Sequence, residues 1–290
     1  MKPPDDAPNT APALEVLDRA LAHGGIQGRY RHASAATGTP MEFCVYVPPH
    51  SPGALLPVVW YLSCLTASPQ DIADKGEYRA ACAELGLILV APDTSPRGPE
   101  VPDDPAEGYD FGIAASFYLD ATQPPFSQHY RMETYLTEEL PPLIGQHFPA
   151  DLNRQSILGH SMGGHGALTL ALRQPGRYRA VSALAPIVAP SQTPWGLKAL
   201  AGYLGPDREA WRAHDAVALI EGGARLSEIL VDQGDADEFM AAQLRPELLR
   251  AACLQAGIPL TLNLRPGYDH AYGFVSTFLG SQLRWHALRL

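Results

Sequence analysis

Gly159-His160-Ser161-Met162-Gly163-Gly164 sets a serine among glycines, directly after the apolar run Ser156-Ile157-Leu158 and ahead of Ala167, Leu168, Leu170, Ala171 and Leu172. A G-x-S-x-G between a strand and a helix is a nucleophile elbow. So sharp a turn forces strained angles at the serine and crowds strand against helix, which is why glycines stand where a Cβ would collide. The helix that starts there aims free N–H groups at developing negative charge, making Met162 N–H an expected oxyanion donor. The pentapeptide alone also occurs in ordinary Gly/Ser turns; the strand before it and the helix after it favour catalysis.

A serine hydroxyl is a weak nucleophile until a base takes its proton, and the base needs a carboxylate behind it. On this architecture the chain order is Ser, then Asp or Glu, then His. His165, His214, His270 and His286 follow Ser161. His165 sits on the first turn of the elbow helix, too near to lean back over the serine, and His286 falls in a terminal helix. His270, in Pro266-Gly267-Tyr268-Asp269-His270, follows the last expected strand in a turn-rich loop and is the expected base. For the acid, the strand Ile229-Leu230-Val231 ends in Asp232-Gln233-Gly234-Asp235-Ala236-Asp237-Glu238, which offers four carboxylates and no order of preference. The calcium-loop spacing D-x-D-x-D-G is missing there, and His160 and His165 lack the Glu of H-E-x-x-H, so no metal and no cofactor is expected.

The elements that must position these groups read as strands near 41–48, 57–62, 87–91, 156–159, 180–184, 228–232 and 260–265, alternating with helical periodicity over 70–84, 131–147, 162–174, 241–256 and 272–288. Alternation predicts an α/β fold with a mainly parallel sheet covered on both faces. Pro141 and Pro142 predict a kink or early end in the second helix. Residues 92–125, rich in Pro, Gly and Asp, read as a long surface loop. Leu14, Leu17 and Leu21 suggest two helical turns within a weakly ordered arm over 1–22, leaving 23–290 as a single catalytic domain. About 45 residues separate the strands near 182 and 230, too few for a large cap, which favours a small polar substrate over a lipid.

Composition excludes other classes. With 290 residues, 46% hydrophobic and 18% charged, the chain can bury a sizeable core. A net charge of -10 repels nucleic acid and anionic membranes, and neither is an expected partner. No apolar run is long enough to span a bilayer, and Met-Lys-Pro-Pro-Asp-Asp opens without an apolar signal core, so a cytoplasmic location is the default expectation. Cys44, Cys64, Cys82 and Cys253 lack C-x-x-C spacing and read as reduced thiols.

From about His23 to Leu290 the chain resembles the S-formylglutathione hydrolase, or esterase D, family of the α/β-hydrolase fold. The segments that carry the resemblance are Ala91-Pro92-Asp93-Thr94-Ser95-Pro96-Arg97-Gly98, Tyr109-Asp110-Phe111-Gly112, Ser116-Phe117-Tyr118-Leu119-Asp120-Ala121-Thr122, Tyr130-Arg131-Met132, the elbow through Leu168, and Gly267-Tyr268-Asp269-His270. The resemblance implies Ser161 as nucleophile, His270 as base and Asp237, two residues before Phe239, as acid. It also implies a second oxyanion donor after the strand Val58–Leu62, where Leu65 N–H is the candidate. The family pattern there, roughly Leu-Ser-Gly-Leu-Thr-Cys, reads Leu62-Ser63-Cys64-Leu65-Thr66-Ala67, so Cys64 replaces the family's glycine and Ala67 its cysteine.

The activity implied is cleavage of the thioester S-formylglutathione to glutathione and formate through a formyl-enzyme. A thiolate leaves easily because a thiol's pKa is about 8.5, far below an alcohol's. Cys64 and Ala67 keep open a short-chain carboxylesterase on the same triad; a non-catalytic binding protein of the same fold is the remaining alternative. Cys64, Trp195, Lys75 and Arg97 are candidate substrate-binding residues, the two cations for glutathione's carboxylates, and the resemblance suggests a homodimer.

Overall fold

The computed structural model describes residues 14–290. Nine strands form one sheet in the order β1-β2-β3-β5-β4-β6-β7-β8-β9: β1 Glu15–Ala22, β2 Gly25–Ala33, β3 Pro40–Val47, β4 Leu56–Leu62, β5 Ile88–Pro92, β6 Ala150–His160, β7 Val181–Leu184, β8 Ile229–Gly234 and β9 Leu260–Arg265. The first three and β5 pair antiparallel; from β5 through β4 to β9 every pairing is parallel. The helices are α1 Pro69–Lys75, α2 Arg79–Leu85, α3 Met132–Thr134, α4 Leu140–His147, α5 Met162–Arg173, α6 Pro194–Leu204, α7 Arg208–Trp211, α8 Ala216–Glu221, α9 Pro246–Ala256 and α10 Tyr272–Ala287.

The expected mainly parallel α/β sheet is present. The inner strands β4, β5, β7 and β8 are buried along almost their whole length, as a sheet covered on both faces requires. Side chains alternate across a strand, so neighbouring residues of β7 report on the two faces: Ser182 hydrogen-bonds to Gln282 and His286 of α10, while Ala183 packs toward Gly164 of α5. The core therefore lies in two layers, one on each side of the sheet.

Five expectations need correction. Residues 15–22 form β1 and not helical turns; residues 1–13 of the expected arm lie outside the described residues. β1 is exposed along most of its length and is held by its ladder to β2 and by ion pairs such as Arg29–Asp18 and Arg31–Glu15, so its leucine spacing reports no buried face. The 70–84 helix is two helices, because α1 stops at Gly76 and Glu77 takes a positive φ of 48°. The 131–147 helix contains a wide π turn over Tyr135–Glu139, after which Pro141 and Pro142 fall in the first turn of α4, where a missing N–H costs nothing. The 241–256 helix is likewise a π turn over Met240–Leu244 and α9, divided at Arg245 with φ 55°. The stretch 92–125 is not wholly at the surface either: Asp93–Ser95 and Ala114–Ala121 are almost entirely buried.

Candidate active site

Four strand ends meet at one edge of the sheet. β4, β6, β8 and β9 all run in the same direction, and their carboxyl ends lead into Leu65, Ser161, Asp237 and His270 respectively. Ligands bind beyond this edge in open parallel sheets.

Ser161 joins β6 to α5 with φ 57° and ψ −116°, a strained conformation for a residue with a side chain. Its backbone is held from both sides, since Ser161 N–H donates to Leu184 O at 2.9 Å and Ser161 O accepts from His165 N–H at 3.0 Å. The glycines are needed for contact: a Cβ on Gly159 would overlap the Gly163 carbonyl, one on Gly163 the Leu62 carbonyl, and one on Gly164 Pro186. Met162 is the first residue of α5, so its N–H has no acceptor inside the helix.

The loop after β4 is pinned to the buried part of segment 93–121. Thr66 N–H donates to Ala114 O at 3.0 Å, the Tyr118 hydroxyl to Ser63 O at 2.8 Å, and the Thr94 hydroxyl and Arg97 guanidinium to Ala67 O at 2.5 and 3.1 Å. Phe117 N–H in turn donates to the Met162 sulfur at 3.3 Å. These bonds use the neighbours of Leu65 and leave Leu65 N–H without a backbone acceptor among the described residues. Sequence reasoning treated this segment as a loop; its buried apolar residues Phe117, Tyr118 and Leu119 were the signal that it packs.

Of the four carboxylates after β8, Asp237 is the one that meets His270. Its Oδ2 lies 2.6 Å from His270 Nδ1, its Oδ1 accepts from Phe239 N–H at 2.9 Å, and Gln233 Nε2 donates to Oδ2 at 3.1 Å. An ionised carboxylate only accepts, so His270 carries its proton on Nδ1 and keeps the Nε2 lone pair free. Asp232 is committed elsewhere, to Arg265, Asn263 and Gln282. Asp235 accepts from Gly267 N–H at 2.7 Å, and Glu238 is exposed. The two loops are further joined by Asp235 N–H to Arg265 O and Ala236 N–H to Tyr268 O.

The His270 ring stacks beside that of His160, the residue before Ser161, with centroids 4.7 Å apart. Burial and the neighbouring His270 hold the His160 imidazole well below its usual range, so it is neutral. No hydrogen bond joins the Ser161 hydroxyl to His270 among the described residues; such bonds are commonly loose before substrate arrives. The other histidines are engaged elsewhere: His165 Nε2 with Phe117 O, His214 with Arg173, and His286 with Ser182.

Trp195, at the start of α6, packs 4.8 Å from Phe239, whose ring is edge-on to His270 at 5.1 Å, so Trp195 is linked to His270 only through Phe239. Lys75 lies over the Tyr272 ring at 5.3 Å and pairs with Asp71 at 2.6 Å. Cys64 is partly exposed, and its buried surroundings push the thiol up to about 11. The Arg97 guanidinium is taken up by Asp93 and Ala67 O. A cavity of about 800 Å³ opens elsewhere, between His32, Arg131 and Glu139, but no serine or cysteine lines it. No helix among the described residues is long and apolar enough to cross a membrane.

Residues 34–285 match the family model described as "Putative esterase". The chain is 48% identical to the S-formylglutathione hydrolase of Paracoccus denitrificans (strain Pd 1222), over 96% of this chain and 99% of that protein. It is 45% identical to the mouse (Mus musculus) S-formylglutathione hydrolase, over 95% and 98%. The solved S-formylglutathione hydrolase from Agrobacterium tumefaciens superposes with a TM-score of 0.93 at 53% identity, covering 95% of this chain and 99% of that one. A ferulic acid esterase, at 18% identity and a TM-score of 0.70, shares the fold alone. The chain belongs to the S-formylglutathione hydrolase family of α/β-hydrolase-fold esterases.

Proposed function

We propose that this protein hydrolyses S-formylglutathione to glutathione and formate, with Ser161 as nucleophile, His270 as base and Asp237 as the acid behind it. The observation that carries the reading is the 2.6 Å contact between Asp237 Oδ2 and His270 Nδ1, beside a strained serine at a strand-to-helix turn. Ser161 Oγ attacks the formyl carbon as its proton passes to His270 Nε2; the carbonyl oxygen gains charge against Leu65 and Met162 N–H. Collapse breaks the C–S bond, and His270 returns the proton to the glutathione sulfur. Water, deprotonated by the same imidazole, then attacks the formyl-serine; the bond from Ser161 Oγ to the formyl carbon breaks, the imidazolium returns its proton to Oγ, and formate leaves.

Lys75 is the better-placed cation for a glutathione carboxylate, being half exposed and beside Tyr272. Arg97 serves mainly to hold the oxyanion loop. Trp195, behind Phe239, and Cys64, next to Leu65 in the chain, complete the candidate binding residues. Residues 23–290 act as one catalytic unit, supported by the single sheet, which also takes in β1. A homodimer and a cytoplasmic location belong to the same reading and rest on the family resemblance and the unbridged cysteines.

Cys64, where the family carries glycine, favours a second reading, a broader short-chain carboxylesterase. Comparing kcat/KM for S-formylglutathione with that for p-nitrophenyl acetate decides between them. A preference of about a hundredfold or more for the thioester is expected; equal or reversed values assign the protein to the second reading. Failure of a fluorophosphonate to label Ser161 would remove both.

A further inference from the structure

Gln233 has no exposed surface and lies in β8 between Asp232 and Gly234. Its Nε2 donates to Asp237 Oδ2 and to Gly234 O, each at 3.1 Å, while its Oε1 is buried with no hydrogen-bond partner among the described residues. An unpaired buried acceptor is a cost that a fold rarely carries without return. Turning the amide over does not relieve it, because the oxygen would then face the carboxylate and a peptide carbonyl, three acceptors together. The amide orientation is therefore fixed by what Nε2 serves. An apolar side chain of the same length would fill the space without the orphaned oxygen, so packing does not account for glutamine here.

The oxygen that Gln233 holds is the one that meets His270. With Phe239 N–H on Oδ1 at 2.9 Å, the Asp237 carboxylate is gripped at both oxygens, which fixes the plane it turns toward Nδ1. We propose that Gln233 is a positioning residue of the triad, holding the Asp237 carboxylate in the one rotamer that orients the His270 ring. The proposal rests on the reading of Ser161, Asp237 and His270 as the triad. Gln233 acts through Asp237 and touches no reacting atom, so its loss slows the chemical step and leaves substrate binding alone.

The test compares Gln233→Met and Gln233→Glu in the full chain, assayed from about pH 6 to about pH 9. Gln233→Met removes the donor at similar volume and is expected to lower kcat about 10- to 100-fold with KM within about threefold. Gln233→Glu keeps size and shape; as a neutral acid it can still donate to Asp237, and once ionised it repels it, so its deficit is expected to be smaller than that of Gln233→Met at low pH and to grow as the pH rises. A packing role predicts deficits that follow shape alone, in a constant ratio at every pH. Thermal melts establish that each variant is folded. If Gln233→Met fails to fold, the Gln233→Glu loss and a displaced far-downfield proton signal from His270 Nδ1–H decide. Wild-type kcat in Gln233→Met, or a ratio of the two variants' kcat that does not change with pH, overturns the proposal. Ser161→Ala in the same assay separates the failures: turnover surviving loss of the serine would remove the triad and this proposal with it, whereas an inactive Ser161→Ala beside a fully active Gln233→Met removes the Gln233 assignment alone.

Discussion

The α-carbon of Gly163 lies so near the carbonyl oxygen of Leu62 that a methyl group added there would sit inside it. Leu62 ends β4 and Gly163 is the second residue of α5, so this contact sets how closely the elbow approaches the oxyanion loop. Gly163→Ala is expected to destabilise the protein by several kcal/mol, about the 1–3 kcal/mol typical of overpacking plus the strain of shifting a backbone. Gly273→Ala is the control, because an added Cβ there meets nothing within 4 Å and the residue is helical; it should be neutral or slightly stabilising. Urea midpoints measured on both variants check the contrast, and equal shifts would contradict it.

Loss of the proposed nucleophile is expected to have a larger and purely kinetic effect. Ser161→Ala removes one oxygen and relieves nothing else in the turn, so kcat should fall by about 10^4 to 10^6 while the melting temperature stays near wild type. Near-normal turnover would end the assignment of Ser161.

Cys64 sits next to the expected oxyanion donor, and its thiol is pushed up to about 11 by burial. The reactive species is the thiolate, and with the thiol raised so little of it exists at neutral pH that alkylation should be slow. Relative to a free cysteine with a pKa of about 8.5, the thiolate fraction falls roughly three hundredfold. Iodoacetamide at neutral pH is therefore expected to inactivate the protein slowly, with the rate climbing about tenfold per pH unit up to the thiol's titration. Fast inactivation at pH 7 that disappears in Cys64→Ser would show the sulfur to be far more ionised than its surroundings allow.

Much of the site could be read before the fold was known, and the reasons are local. The elbow announces itself because a strained serine between close-packed elements tolerates only glycine around it. His270 follows from chain order and from lying just past the last strand. Between Asp232, Asp235, Asp237 and Glu238 the residues gave no order of preference, since all four are acidic in one turn-rich stretch; only the family resemblance pointed to Asp237. Which carboxylate reaches the ring depends on how the loop after β8 zips onto the loop after β9, a long-range register that no short window contains. Gln233 escapes notice because a glutamine beside an acid looks like part of a solvated turn, and its burial appears only when β9 pairs alongside β8 and the loop carrying Asp237 folds back beside it. The hairpin β1–β2 was missed for the opposite reason. β1 is held by ladder bonds and surface ion pairs and carries no apolar alternation, while in β2 Tyr30 and His32 turn inward between arginines, too short a pattern to read. The turn between them, with φ 48° at His23 and 75° at Gly24, was the available signal.

The buried imidazoles make acid the condition under which the fold fails first. Burial holds His286 down to about 3, with Arg289 adding to the effect, and holds His165 down to about 4. The Ser182 hydroxyl donates to Gln282 at 2.6 Å and so accepts from His286 Nε2–H at 2.7 Å, while His286 Nδ1 is buried with no partner among the described residues, where a second proton would be left unpaired. The unfolded chain protonates these rings near the ordinary imidazole pKa of about 6.5, whereas the folded protein does not until far lower pH. Between those values the unfolded state binds more protons, so stability rises with pH across the window and is lost on acidification below about 6.5. Each such imidazole contributes a slope of about 1.4 kcal/mol per pH unit once the unfolded form is fully protonated. Denaturation midpoints at pH 7, 6 and 5 for the wild type and His286→Gln provide the check, as the variant should be less stable at pH 7 yet lose less between pH 6 and 5. Parallel lines for the two proteins would mean that His286 is not held neutral by burial against Ser182.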